Sequence, residues 1–163
     1  MQSQDFIIKQ VLEAWYIHIK RVDSLLRELS DEQLLSEIAP GKNTGLYLVG
    51  HLAAVHDSML PLLDLDKKLH PELEEVFIKN PDKSGLQKPT VDTVKKNWKE
   101  INDQLEGYFS KMRGEDWLKR HMSISEEDFI KEPHRNKLNV LLSRTNHVAN
   151  HFGQLLLLKK KHD

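Results

Sequence analysis

Residues 3–29 read SQDFIIKQVLEAWYIHIKRVDSLLREL. Ile8, Val11, Leu12, Trp15, Ile19, Val22, Leu25, Leu26 and Leu29 recur at steps of three and four. That is the period of a helix with one buried stripe. At 1.5 Å per residue such a helix is about 40 Å long, so it needs partners of comparable length to cover its stripe. Three more segments supply them. The second begins at Asn43 or Thr44, either of which can cap free backbone N–H groups. It turns Leu48, Leu52, Val55, Met59 and Leu62 inward, and Pro61 kinks or ends it. The third spans residues 90–112, with Val91, Val94, Trp98, Ile101, Leu105, Tyr108 and Met112 on one face. The fourth spans residues 136–161 and ends in Lys159, Lys160 and Lys161, which suit the negative end of a helix dipole.

The connections are long. Ser30 and Asp31 open a short helical turn that closes by Leu35, before Pro40, Gly41 and Asn43 break the chain. Residues 64–90 are polar and contain Pro71, Pro81, Gly85 and Pro89, with a short helix expected around residues 72–77. Residues 113–136, with Gly114 and Pro133, read as irregular. No stretch alternates as a strand does. The expected fold class is all-α, a four-helix bundle with long crossover connections, forming one domain over residues 1–163. An up-down-up-down bundle has no need of such connections. Trp15, Trp98 and Phe109 read as core.

Composition removes several function classes. Cysteine is absent, which excludes disulfides, thiolate catalysis and cysteine-ligated zinc. With 24 basic and 25 acidic residues the net charge is −1, so nothing draws the chain to nucleic acid or an acidic membrane. A mean hydropathy of −0.56 reads as soluble, and the apolar run at residues 155–158 is far too short to span a bilayer. Residues 1–20 show no signal-peptide pattern. A reducing, cytoplasmic location is expected.

The nine histidines are the unusual count. His147 and His151 stand four apart on a helix, which puts both imidazoles on one face where they can share an ion. The residue after His147 is Val148, not the glutamate base of the zinc-protease motif, so a peptidase is disfavoured. A pair needs a third ligand, and the second helix offers His51, on the edge of its apolar arc, and His56, nearer the centre. Helical position alone does not choose between them. Asn43, Tyr47, Asn150 and Gln154 are candidates to orient the rings through their other nitrogens. Asp57 and Asp64 read as solvated. Arg144, one turn before His147, reads as a surface ion-pair partner, with an anionic substrate group as the alternative.

Two segments carry a resemblance. Residues 43–53, NTGLYLVGHLA, and residues 146–155, NHVANHFGQL, resemble the second-helix and last-helix motifs of the DinB/YfiT-like superfamily. The resemblance implies one histidine from helix two and a pair from helix four, here His51, His147 and His151. His56 matches a further histidine in the YfiT-like members. It also implies a divalent metal, nickel or zinc, in an open site. Relatives include thiol-S-transferases that use bacillithiol, mycothiol or glutathione, and metal-dependent hydrolases. The implied function is a metal-dependent enzyme acting on a small-molecule substrate, with a low-molecular-weight thiol or water as nucleophile. The alternatives are a non-catalytic metal-binding or stress-related bundle, and a helical interaction protein without metal. A homodimer is expected from the broad apolar faces of helices one and three.

Overall fold

The computed structural model describes residues 3–162, with side chains from 4 to 159. Met1, Gln2 and Asp163, counted in the expected domain, and the side chains of Lys160 and Lys161, expected at the last helix end, lie outside the described residues. The long helices are α1 (Ser3–Glu28), α3 (Gly45–Asp57), α6 (Val91–Phe109) and α9 (Lys137–Leu155). No strand occurs among the described residues, and none of their helices is long and apolar enough to cross a membrane. The fold is all-α, as the periodicity predicts.

Cross-contacts give the directions. Trp98 Nε1 donates to Asp23 at 2.7 Å, and Trp15 meets Phe109 edge-on, so α1 and α6 are antiparallel. Leu46 and Val91 share a groove at one end of the bundle while His56 bonds Asn102 farther along, so α3 and α6 are parallel. Gly45 lies against Leu158 and His51 against His147, so α3 and α9 are antiparallel. Round the bundle the order is α1, α6, α3, α9, and α9 closes it on α1. The parallel α3–α6 pair explains the long connection between them: the chain must return the full length of α3 before α6 can start.

That return is a strap laid antiparallel along α3. At the far end of α3 the buried Asp57 carboxylate accepts from Leu69 N at 2.8 Å and His70 N at 2.9 Å. Midway lies the short helix α5 (Leu73–Phe77), in the expected place. At the near end the Tyr47 hydroxyl donates to the Asn80 carbonyl at 2.7 Å, and Thr44 N donates to Asp82 at 2.6 Å. Burial alone would raise the Asp82 carboxyl. The Lys88 and Thr44 bonds outweigh it and hold the group below the ordinary carboxylate range. Asp57, read from sequence as solvated, is 1 % exposed. It is an anchor that accepts two backbone hydrogens, a role no local pattern announces.

Three further expectations change. Helix two ends at Asp57, and α4 (Met59–Leu62) follows after Ser58. Pro61 sits in the first turn of α4, where a missing N–H costs little. Val55 and Leu62 are only half-buried. Residues 113–136 are not irregular throughout: they hold α7 (Gly114–Trp117), which buries Trp117, and α8 (Glu126–Lys131). The last helix turns into a 3-10 segment, Leu156–His162, after Leu155, and Lys159 there pairs with Glu28 at the end of α1. A short α2 (Asp31–Leu35) is capped by Ser30, as expected.

His56 is fully buried between the Trp15 and Trp98 rings, at centroid distances of 4.7 and 5.0 Å. Asn102 spends its amide hydrogen on Trp98 O, so its oxygen accepts from His56 Nδ1 at 2.8 Å. Burial pushes the imidazole from 6.5 down to about 3.

Two outcomes are expected. Gly50 lets the Phe77 ring lie on α3, and a Cβ there would run into that ring. Helix propensity favours Gly50→Ala by about 1 kcal/mol, but overpacking costs about 1–3 kcal/mol. Urea unfolding of Gly50→Ala should show a net loss, and a gain would contradict this packing. Above pH 6.5 His56 is neutral whether the chain is folded or not. As pH falls from 6.5 toward 3 the unfolded chain takes up a proton that the folded chain refuses. Stability should therefore fall by about 1.4 kcal/mol per pH unit from this group. His56→Met should flatten that dependence by this amount; an unchanged slope between about pH 4 and 6 would contradict it.

Candidate metal centre

Helix α3 is capped by Thr44, whose side chain accepts from Tyr47 N at 3.2 Å. Of the two capping candidates the structure uses Thr44, and Asn43 is exposed in the preceding loop. Helix α9 is capped by Asn136, whose side chain accepts from Asn139 N. The α3–α9 seam brings His51 to His147 and His151. His51 Nε2 lies 3.2 Å from His147 Nε2, and His151 Nε2 lies 3.0 Å from the same atom. One nitrogen from each ring falls within 4.8 Å of both others, and all three residues are half-buried. Among the described residues no carboxylate joins this group. His56 lies apart from it, in the core, so of the two histidines on helix two His51 is the one that joins the pair.

Hydrogen bonding decides which nitrogens carry protons. His51 Nδ1 is 2.8 Å from the Phe77 carbonyl, which can only accept, so Nδ1 holds the hydrogen and Nε2 presents a lone pair. His151 Nδ1 donates to Gln154 Oε1 at 2.6 Å, and its Nε2 likewise presents a lone pair. His147 lies between them. A hydrogen on its Nε2 can satisfy one neighbour but leaves the other lone pair facing the same nitrogen. Its Nδ1 is buried with no partner. Burial, then His151 and His51, then Arg144 push His147 down to about 4, so it does not answer by taking a second proton. Burial also lowers His151, against the Gln154 bond.

Three converging imidazole nitrogens, two of them presenting lone pairs, with no acid among them fit a cation. Around a tetrahedral ion with bonds of about 2.0–2.1 Å, neighbouring ligand nitrogens stand about 3.3–3.4 Å apart. The observed separations are close to this. Three protein ligands, rather than four, would leave a position on such an ion free.

Of the residues expected to orient the rings, Gln154 does so directly. Tyr47 lies parallel to the His51 ring, with centroids 6.4 Å apart, and ties down the strap through Asn80. Asn150 is exposed. No sequence motif points to the acceptor for His51. It is a backbone carbonyl, carried to α3 by the strap, and a main-chain group leaves no mark in residue identity. Arg144, expected as an ion-pair partner, makes no ion pair or hydrogen bond among the described residues, and its Nε is buried without a partner.

Gln154→Leu removes the bond that holds the His151 tautomer. Metal affinity should fall about 10- to 100-fold by competition titration, with the helical signal unchanged. Unaltered affinity would show that the Gln154 contact does not orient the ligand.

No curated protein matches the chain. The model of the DinB superfamily matches residues 14–155, from within α1 to the last residue of α9, and so takes in all four long helices and all three converging histidines. The chain belongs to the DinB superfamily.

Proposed function

We propose that the chain is a divalent-metal-dependent enzyme that acts on small molecules, with nickel or zinc held by His51, His147 and His151. The carrying observation is the convergence of three imidazole nitrogens, two of them fixed as lone pairs by Phe77 and Gln154. Once bound, the ion would act as a Lewis acid that makes a thiol or a water nucleophilic at neutral pH. The residues of the chain supply the rest. Phe77 and Gln154 fix two rings so that no proton has to leave a nitrogen when the ion enters. Burial keeps His147 neutral. The half-exposed edge of the three rings leaves the free position open to substrate.

Thiol transfer and hydrolysis share this apparatus and differ only in the nucleophile. Family membership supports both. A non-catalytic metal-binding bundle is the second reading, and the open ligand set argues against it, since structural sites close with a fourth ligand.

Protein purified without a metal-binding tag should carry about one equivalent of nickel or zinc by elemental analysis, as one three-histidine site predicts. His51→Ala, His147→Ala and His151→Ala should each lose most of it while keeping the helical circular dichroism, because none of the three lies in the closed core. His56→Met should retain the metal. Loss of metal in His56→Met with full occupancy in His51→Ala would overturn the ligand assignment. Turnover of a thiol with an electrophilic bimane, or of an activated ester, should require the metal. Full occupancy without turnover of either class would favour the non-catalytic reading.

A further inference from the structure

Among the described residues, Arg144 is a cation with nothing to hold. It lies on α9, three residues before His147 and seven before His151, which puts all three side chains along one face of the helix. The guanidinium is half-buried, its Nε has no hydrogen-bond partner, and no carboxylate lies within ion-pair distance among the described residues. Burial alone lowers its pKa. A desolvated guanidinium is normally placed against a carboxylate or phosphate, because its planar fork loses water that only an anion replaces well.

The whole centre shares this excess of positive charge. Three neutral imidazoles contribute no negative charge to a divalent ion. No acidic group is among the causes that act on His56, His147, His151 or Arg144. Arg144 in turn lowers both His147 and His56, so its charge is felt at the centre. An ion and Arg144 together would leave the α3–α9 seam with about three uncompensated charges, in a half-buried setting where screening is weak. The helical rise puts the Arg144 Cα about 4.5 Å along the axis from that of His147.

We propose that Arg144 selects substrates with a carboxylate a few bonds from the group that reaches the metal, binding that carboxylate through its guanidinium. The proposal rests on the metal-centre reading above. No second cation among the described residues is among the causes that act on Arg144, and a single cation favours a monoanionic carboxylate over a phosphate dianion. The ligand then spans the seam, with one end at the three histidines and its carboxylate one to two helical turns toward the start of α9.

Cobalt(II)-loaded protein makes this visible without turnover. Thiolate binding gives a near-ultraviolet charge-transfer band, and carboxylate binding shifts the visible d–d bands. In the wild type, 3-mercaptopropionate should bind at least about tenfold more tightly than 2-mercaptoethanol, and succinate at least about tenfold more tightly than acetate, as a charge-assisted bidentate pair predicts. Arg144→Met should erase both preferences while leaving cobalt content and 2-mercaptoethanol affinity unchanged. Arg144→Lys should restore part of each preference. Equal affinities within both pairs in the wild type, or preferences that survive in Arg144→Met, would overturn the proposal. If no thiol gives a band but succinate keeps its Arg144-dependent advantage, thiol chemistry is overturned and the role of Arg144 stands. If cobalt does not bind at the three histidines, the metal-centre reading falls, and Arg144 falls with it.

Discussion

Helix α3 is apolar on almost every side, and covering it organises the rest of the molecule. Leu46, Leu48, Val49, Leu52, Ala53 and Ala54 are all buried, although they point around the full circumference of the helix. A helix at the corner of a four-helix bundle is covered on two or three sides only. The remaining side of α3 is closed by the strap, which packs Phe77 against Gly50 and tucks in its ends through Asp57 and Asp82. The missing Cβ at Gly50 sets how closely the strap approaches. That approach brings the Phe77 carbonyl to His51, so hydrophobic cover and the orientation of this ring have one cause.

The same constraint divides the two histidines of α3. Five residues apart, they point in different directions from one helix. His56 faces the centre, where two tryptophans enclose it and Asn102 takes its one hydrogen. Charging it there would cost desolvation with no acid to compensate. His51 faces the α3–α9 seam, where an open edge remains. One is a neutral packing residue with a polar tie, and the other is placed to meet a ligand.

The centre is built from rigid parts. Two of its rings sit one turn apart on a nineteen-residue helix, and the third sits on a helix held from several sides. Two of the three tautomers are fixed by hydrogen bonds, so those rings would not have to reorganise for an ion to enter. Arg144 belongs to the same rigid helix. Its Nε is buried without a partner among the described residues.

The residue order by itself determined the four helices, because a three- and four-residue apolar period is local and needs only the chain's own geometry. It determined the His147–His151 pair for the same reason, since one turn of helix sets that distance. The family motif singled out His51, and the long polar crossover was legible from its prolines. Tertiary packing alone decided the rest. It separated His51 from His56 by burial, brought the Phe77 carbonyl to the ring, made Asp57 an anchor, turned the 113–136 stretch into two short helices, and left Arg144 without a partner. Each of these depends on distances between elements far apart in the chain. A sequence period carries no record of such distances, and a main-chain acceptor has no residue type by which it could be read.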